Sequence, residues 1–226
     1  MKGVGAVIVA AGAGRRFGGA KPFALLAGRP LVEWSLAVFE NHPLVRTIVL
    51  VLGEEASRAD FRTRFPKLAS VVRGGAERQD SVRRGFARLD PLATDVVLVH
   101  DGARPLVSAE LIVRVVEAAR RRGAAVPVVP TADTIKEIAG GRVVRTPDRD
   151  RLGRVQTPQA FSYSVLEKAL AKAREEGYLG TDEAALVERC GGEVAVVEGD
   201  ERNIKITTRL DLKIAEVICH EDRPGV

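Results

Sequence analysis

The sequence predicts a single α/β domain over residues 1–226, in which helices cover both faces of a mostly parallel sheet. Apolar, β-branched runs alternate with segments of helical periodicity along most of the chain, as in proteins built from strand–helix–strand units. Hydrophobic residues make up 46% of the 226 residues, so the chain can bury a sizeable core. No internal repeat or linker-like segment interrupts the sequence.

The elements are predicted in order from the first strand. Residues 4–10 form an apolar run of the length expected for a fully buried strand. Further strands are expected at residues 47–52, 70–73, 96–100, 125–129 and 194–197. Helices are expected at residues 31–41, 54–65, 80–89, 109–122, 164–177 and 208–219. One more helix should start near Thr181, and its first acids, Asp182 and Glu183, are interpreted as helix-start residues rather than metal ligands.

Residues 135–155 do not follow this alternation. Gly140 and Gly141 suit a hairpin turn, and the β-branched residues Ile138, Val143 and Val144 flank them. An isolated two-stranded hairpin is only marginally stable in water. We therefore expect a protruding arm that packs against a second copy of the chain and forms a homodimer.

Composition argues against several functional classes. The formal net charge is +5, but aromatic residues make up only 4% of the chain, so base-stacking surfaces for nucleic acids are not expected. The basic residues cluster in loops, and an anionic small-molecule substrate explains them better. No apolar run reaches the roughly 18 residues of a transmembrane helix, so no membrane association is expected. The chain also runs from Met1 directly into a strand, which indicates a cytoplasmic protein.

Small and basic residues directly follow the first strand. The small residues are Ala10, Ala11, Gly12, Ala13 and Gly14, and Arg15, Arg16, Gly18, Gly19 and Lys21 come after them. Small residues let a ligand approach the backbone, whose N–H groups can hold an anion. The spacing does not match the dinucleotide-binding fingerprint, because Phe17 replaces its third glycine, or the P-loop, because Ala20 precedes Lys21. The sequence therefore predicts a phosphate-binding loop of another type.

Two later segments carry weaker local signals. Asp101 ends a predicted buried strand, where a carboxylate needs a partner. Magnesium held together with substrate phosphates and a structural role, in which Asp101 caps a turn or pairs with Arg104, are equally compatible with the sequence. Gly74 and Gly75 precede a predicted helix whose N-terminus could bind a nucleotide, although such a turn is also common without a ligand.

Together these segments resemble the 2-C-methyl-D-erythritol 4-phosphate cytidylyltransferase family. The resemblance rests on residues 10–16, 74–81 (Gly-Gly-x-x-Arg-x-x-Ser), 99–105 (Val-His-Asp-Gly-Ala-Arg-Pro), 131–136, 157–161 and 203–207 (Asn-Ile-Lys-Ile-Thr). It implies a Rossmann-like three-layer α/β/α nucleotidyltransferase fold with a β-arm for dimerisation. It also implies transfer of a cytidylyl group from CTP to 2-C-methyl-D-erythritol 4-phosphate in non-mevalonate isoprenoid biosynthesis.

The resemblance also implies roles for individual residues. The residues with an implied catalytic role are Arg16, Lys21, Arg149 and Lys205. Those implied in CTP binding are Ala10, Ala11, Gly12, Ala13, Gly14, Gly75 and Ser81. Those implied in binding the polyol phosphate are Arg104, Thr134 and Asp200, with a second magnesium contact as the alternative role of Asp200. Asp101 is the implied Mg²⁺ ligand, and Thr134 and Arg149 are expected to reach the site of a neighbouring subunit.

Two departures from the family pattern and several alternative functions stay open. Ala76 stands where the family often has Asp, and Ala20-Lys21-Pro22 replaces its usual Pro-Lys-Gln. A ribitol 5-phosphate cytidylyltransferase would share most of the motifs, and another polyol or sugar phosphate nucleotidyltransferase would share the chemistry. The missing third glycine disfavours a nicotinamide oxidoreductase. The presence of Asp101, Lys21 and Lys205 together disfavours a non-catalytic nucleotide sensor.

Overall fold

The computed structural model describes residues 2–12, 14, 17–19, 21–53, 61 and 63–221. The α-helices among them are α1 (Leu31–Asn41), α2 (Arg78–Phe86), α3 (Ala109–Arg122), α4 (Tyr163–Glu175), α5 (Glu183–Arg189) and α6 (Arg209–Glu221). The first six strands are β1 (Gly3–Ala10), β2 (Leu25–Leu26), β3 (Arg29–Pro30), β4 (Val45–Leu52), β5 (Leu68–Arg73) and β6 (Thr94–Asp101). The remaining strands are β7 (Ala124–Pro130), β8 (Glu137–Ala139), β9 (Arg142–Arg145), β10 (Gly153–Val155), β11 (Gln159–Ser162) and β12 (Ala195–Glu198).

The main sheet contains eight strands. Neighbours in the order β5–β4–β1–β6 run parallel to one another. Strand β11 lies between β6 and β7 and runs antiparallel to both. Strand β10 is antiparallel to β7, whereas β12 is parallel to it. The sheet is therefore mixed but mostly parallel, which confirms the predicted fold class.

Helices cover both faces of the sheet because side chains alternate along its strands. In β1, Ala6 and Ile8 belong to the core beneath α1 and α3, whereas Val7 belongs to the core beneath α2, α4 and α5. All three side chains are fully buried. A strand that is buried on both faces reads as a continuous apolar run, which is why these strands are recognisable in the sequence.

The hairpin arm is shorter than predicted. Strands β8 and β9 form a separate two-stranded antiparallel hairpin, and Gly140 and Gly141 have positive φ angles in its turn. Residues 153–155, which the sequence predicts in the arm, instead form β10 and pair with β7 in the main sheet. The hairpin exposes its apolar side chains in the single chain, namely those of Ile138, Val143 and Val144.

Two strands of the main sheet are too short to predict from an apolar run. Strands β10 and β11 contain three and four residues, yet β11 fills the position between β6 and β7. The helix predicted at residues 54–65 lies largely outside the described residues. The other predicted elements are present, with ends shifted by no more than three residues. None of the helices described above has the length and apolar character needed to cross a membrane.

Candidate active site

A cleft of about 390 Å³ lies at the carboxyl ends of β1 and β6. Its walls come from the loop after β1, the start of α2, the loop after β6 and the segment before α6. Of the residues predicted for the site, those that line the cleft are Ala10, Ala11, Gly12, Lys21, Gly75, Ser81, Asp101 and Lys205. Ala13 and Arg16 lie outside the described residues. The chain therefore brings together residues that are up to 195 positions apart, from Ala10 to Lys205.

Contacts with the C-terminal part of the chain anchor the loop after β1. Gly14 has a φ of +60°, and a Cβ atom there would collide with the carbonyl oxygen of Gly19, so this position requires glycine. Phe17 is buried in a small core together with residues of α6. The guanidinium of Arg209 lies 4.6 Å from the centre of the Phe17 ring, a favourable cation–π distance.

Lys21 and Lys205 both line the cleft, and Ile206, the residue after Lys205, connects them. The Nζ of Lys21 donates a hydrogen bond to the carbonyl oxygen of Ile206 at 3.1 Å. The backbone N–H of Ile206 donates to the carbonyl oxygen of Ala103 at 2.8 Å, and its side chain is fully buried in the same small core as Phe17. This segment therefore holds together two amino groups from opposite ends of the sequence.

The turn before α2 packs closely against the loop after β1. A Cβ atom on Gly74 would collide with the side chain of Ala11, so the two loops approach only because both residues are small. The hydroxyl of Ser81 accepts a hydrogen bond from the N–H of Gly75 at 3.0 Å and donates to the carbonyl oxygen of Glu77 at 3.1 Å. Ser81 thus orders this turn, and its implied contact with CTP stays a prediction.

A carboxylate with two cationic partners forms the floor of the cleft. The Oδ1 of Asp101 accepts a hydrogen bond from Nε of Arg78 at 3.0 Å, and its Oδ2 accepts one from Nζ of Lys205 at 2.6 Å. Burial by itself raises the pKa of Asp101, but the charges of Arg78, Lys205 and Arg104 outweigh it and hold the pKa well below its ordinary value. Asp101 is therefore ionised at neutral pH although only 7% of it is exposed.

A second buried carboxylate, that of Glu183, pairs with the same arginine. Both of its oxygens accept hydrogen bonds from Nη1 of Arg78, at 2.9 and 2.8 Å. Burial raises the pKa of Glu183. Burial by itself lowers the pKa of Arg78, but the two carboxylates outweigh it and raise that pKa.

Sequence reasoning missed this pair. It gave Arg78 no role and interpreted Glu183 as a helix-start acid, whereas Asp182 is the residue whose side chain caps α5, by accepting a hydrogen bond from the N–H of Ala185. The only signal available was the arginine within the Gly-Gly-x-x-Arg-x-x-Ser motif, because its partners lie 23 and 105 residues away.

A chain of hydrogen bonds holds the backbone around Asp101. The hydroxyl of Thr157 accepts from the N–H of Asp101 at 3.0 Å and donates to Nδ1 of His100 at 3.1 Å. The Nε2 of His100 then donates to the carbonyl oxygen of Arg104 at 3.2 Å. This assignment requires a neutral imidazole, and burial lowers the pKa of His100 to about 4. The side chains of Thr157 and His100 therefore hold the turn that carries Asp101 and Arg104.

Arg104 and Asp200 are not among the residues that line the described cleft. The Nη1 of Arg104 donates to the carbonyl oxygen of Asn203 at 2.7 Å, and burial lowers its pKa. Its Nε is buried without a hydrogen-bond partner among the described residues. The Oδ1 of Asp200 accepts from the N–H of Arg202 at 2.8 Å.

Thr134 and Arg149 are exposed, and neither is among the residues lining the described cleft. Arg149 begins a short 3₁₀ helix, Arg149–Arg151, and lies 3.9 Å from the carboxylate of the adjacent Asp150. In a single chain, these two residues therefore lie outside the lining of the cleft that contains Lys21, Asp101 and Lys205.

The chemistry of the donor set limits the metals that the cleft could hold. No group of three or more His, Cys, Asp or Glu side chains suitable for a metal occurs among the described residues. Mg²⁺ commonly binds through one or two carboxylates, with phosphates and waters as its other ligands. Asp101 therefore fits an ion that binds together with a nucleotide, and such an ion would compete with Lys205 for Oδ2.

Comparison with known proteins gives a consistent result. The family model described as "IspD: 2-C-methyl-D-erythritol 4-phosphate cytidylyltransferase" matches residues 4–221. A protein of that name from Bacillus velezensis is 49% identical over 220 residues, which cover 94% of each chain. Another from Syntrophotalea carbinolica is 43% identical over 226 residues, covering 97% of this chain and 96% of the relative.

Solved structures agree. The crystal structure of 2-C-methyl-D-erythritol 4-phosphate cytidylyltransferase from Thermus thermophilus superposes with a TM-score of 0.81 at 38% identity, covering 97% of this chain and 100% of the other. The 4-diphosphocytidyl-2C-methyl-D-erythritol synthase from Anaerococcus prevotii gives a TM-score of 0.85 at 31% identity, covering 97% and 96%. The family predicted from the motifs is confirmed. The chain belongs to the 2-C-methyl-D-erythritol 4-phosphate cytidylyltransferase family of nucleotidyltransferases.

Proposed function

We propose that the chain transfers the cytidylyl group of CTP to 2-C-methyl-D-erythritol 4-phosphate, releasing pyrophosphate, in non-mevalonate isoprenoid biosynthesis. The observation that carries this proposal is the convergence of Lys21, Asp101 and Lys205 in one cleft beside the glycine-rich loop. We place the reaction in the cytoplasm, where nucleoside triphosphates are available.

The proposed reaction joins two polyanions. A phosphate oxygen of the polyol phosphate attacks the α-phosphorus of CTP, a new phosphorus–oxygen bond forms, and the bond to pyrophosphate breaks. Fixed cations that face the charge of the transition state lower this barrier, and we assign that role to Lys21 and Arg16. The attacking phosphate is largely ionised at neutral pH, so the reaction needs no general base.

We assign CTP to the loop after β1 and to the turn before α2. Residues 10–14, Gly75 and Ser81 are the proposed contacts. Support comes from the small residues of both segments, which allow a ligand to approach the backbone, and from the position of Ala10, Gly12 and Gly75 in the cleft wall.

We propose that Asp101 binds Mg²⁺ together with the phosphates of CTP. The bound ion would neutralise phosphate charge and orient the triphosphate. The Nζ of Lys205, which lies on Oδ2 of Asp101, would then be available to the phosphate of the polyol substrate. The Lys205 ammonium would thus exchange one anionic partner, the carboxylate of Asp101, for another, the phosphate of the polyol substrate.

We propose that a second subunit completes the binding site for the polyol phosphate. Thr134 and Arg149 are exposed, so they are available to a neighbouring chain, while Arg104 and Asp200 would contribute from the same chain. Burial of the hairpin side chains Ile138 and Val143, which are 67% and 59% exposed, would stabilise such a homodimer through the hydrophobic effect.

The test is magnesium-dependent release of pyrophosphate from CTP, with 2-C-methyl-D-erythritol 4-phosphate and ribitol 5-phosphate offered separately. We expect release with the first substrate. Release with ribitol 5-phosphate alone would keep the chemistry and refute the assigned substrate. Asp101→Asn, which preserves the shape of the side chain and removes its charge, should lose the magnesium-dependent rate.

A further inference from the structure

Glu183 carries a buried charge that the proposed reaction does not use. Only 1% of Glu183 is exposed, and the residue is not among those that line the described cleft. Capping of α5 is performed by the neighbouring Asp182. A buried carboxylate is costly unless it is paired, so the place of Glu183 in the fold requires an explanation beyond helix capping.

The contacts of Glu183 lead to the floor of the cleft through one side chain. Both carboxylate oxygens of Glu183 accept hydrogen bonds from Nη1 of Arg78. The same guanidinium donates through Nε to Oδ1 of Asp101. Arg78 therefore bridges Glu183 and Asp101, the carboxylate that faces the cleft.

The division of donors on Arg78 has an electrostatic consequence. A guanidinium can donate two parallel hydrogen bonds to one carboxylate, and such a bidentate contact would engage both oxygens of Asp101. The donors on the edge of the Arg78 guanidinium that faces Asp101 are Nε and Nη2, and the contact is through Nε to Oδ1 alone. By holding Nη1 on the other edge, Glu183 fixes an orientation of the guanidinium in which Nη2 forms no hydrogen bond with Asp101. Oδ2 is left on the side of Lys205, whose side chain is 41% exposed.

We infer that Glu183 is a positioning residue, which restrains Arg78 so that Oδ2 of Asp101 stays available to a divalent cation bound with CTP. This inference rests on the proposed function, since it assumes that Asp101 binds the cation. Without the hold of Glu183 on Nη1, the guanidinium is free to turn so that Nη2 as well as Nε contacts Asp101, and both oxygens of that carboxylate are then engaged within the protein.

The test measures binding and needs no turnover. Affinity for CTP is determined by calorimetry in Mg²⁺ and in EDTA, without a polyol phosphate, and the ratio of the two affinities is the magnesium-dependent gain. We expect Glu183→Gln to reduce this gain about tenfold, the lower end of the effect of losing a residue that orients a metal ligand. Affinity in EDTA should stay within twofold of that of the unaltered protein.

Two controls separate positioning from a merely structural role. Asp182→Ala removes the adjacent carboxylate and the cap of α5, so it should lower the melting temperature and leave the magnesium-dependent gain unchanged. In an Arg78→Gln background, Glu183→Gln should change the gain by less than twofold, because residues that act through one another are not additive. An equal effect with and without Arg78 would overturn the inference.

Further variants keep the test decisive. If Glu183→Gln does not fold, Glu183→Asp provides the test: it keeps the charge but draws Arg78 away from Asp101, so the gain should be retained or should rise. A gain that falls in Glu183→Asp, or an unchanged gain in folded Glu183→Gln, refutes positioning by Glu183. Asp101→Asn identifies the level at which an experiment fails. If Asp101→Asn keeps the full gain, the proposed metal ligand is wrong and both proposals fall, whereas loss of the gain there but not at Glu183 refutes this inference alone.

Discussion

The floor of the cleft and the hairpin arm differ in how their charged residues are held. At the floor, Asp101 is 7% exposed and contacts two cations, and the backbone around it is fixed by Thr157 and His100. In the segment that follows the arm, the Arg149 side chain is 61% exposed, and it forms an ion pair with the adjacent residue, Asp150.

This difference indicates that one chain organises only part of the proposed site. Burial and pairing fix a charged side chain when the fold surrounds it, as at Asp101. An exposed arginine beside a hairpin with bare apolar side chains has no comparable restraint, and long exposed side chains keep most of their rotamer freedom. If the floor works as a preorganised unit and the arm acts on another chain, variants in the two regions will differ in the size and the kind of their effects.

The largest effect is expected from Lys21→Ala. Loss of one oriented donor to a developing charge typically lowers kcat by about 10²–10³, and Lys21 lies in the cleft wall beside the pair formed by Asp101 and Lys205. Steady-state pyrophosphate release measures the change. Lys213→Ala, at an exposed position of α6, is the control and should retain nearly full kcat. Near-normal turnover of the Lys21 variant would remove this residue from the mechanism.

The next effect tests the arm. We expect Arg149→Ala to lower activity by about 10-fold to 100-fold, somewhat less than an oriented donor within the preorganised floor. If Arg149 acts on a neighbouring subunit, mixing the impaired Arg149→Ala and Lys21→Ala chains restores about a quarter of the sites, because half of the dimers are mixed and each of them has one intact site. Arg151→Ala is the control from the same 3₁₀ helix, Arg149–Arg151. A mixture that stays inactive would contradict a shared site.

A smaller effect is expected from loosening the floor. Thr157→Val keeps the shape of the side chain and leaves the N–H of Asp101 and Nδ1 of His100 without their partner. Unsatisfied buried polar groups cost about 1–3 kcal/mol, so the free energy of unfolding should fall by about 2 kcal/mol in urea denaturation. Thr146→Val, at an exposed position of the chain, should change it by less than about 0.5 kcal/mol. Equal stability of the two variants would show that the hydrogen-bond chain contributes little.

The smallest effect concerns the helix that anchors the loop after β1. Asp211 accepts hydrogen bonds from the N–H and hydroxyl of Thr207 and from the N–H of Thr208. Burial raises its pKa, but these hydrogen bonds outweigh it and lower the pKa to about 2, from an ordinary value of 3.8. A lowered carboxyl pKa stabilises the fold above the ordinary value, and this contribution is lost as the pH falls toward 2.

We therefore expect Asp211→Asn to lower the free energy of unfolding by about 1 kcal/mol at pH 7, a value discounted for the solvent exposure of the carboxylate. The difference between the variant and the unaltered protein should close between pH 4 and pH 2. Denaturation at a series of pH values measures it. A difference that does not depend on pH would show that the carboxylate charge is not the stabilising feature.

The sequence by itself determined the fold class, the order of most elements and the family. It did so because strands buried on both faces must read as apolar runs, as in β1 and β4, and because the glycine-rich loop and the motif around Asp101 are local in the chain. It also placed the hairpin turn at Gly140 and Gly141, where positive φ angles favour glycine. It could not detect β10 and β11, since three and four residues are too few to show a period.

Only the tertiary structure decided which charges meet. Asp182 and Glu183 are adjacent acids that the sequence cannot tell apart, yet one caps α5 and the other is buried against Arg78, 105 residues away. The tertiary structure likewise decided that the ammonium of Lys21 donates a hydrogen bond to the backbone carbonyl of Ile206, 185 residues away. Such contacts depend on how helices and loops pack around the sheet, and the physical reason is that a buried ion pair is selected by the space and charge around it rather than by its neighbours in the chain.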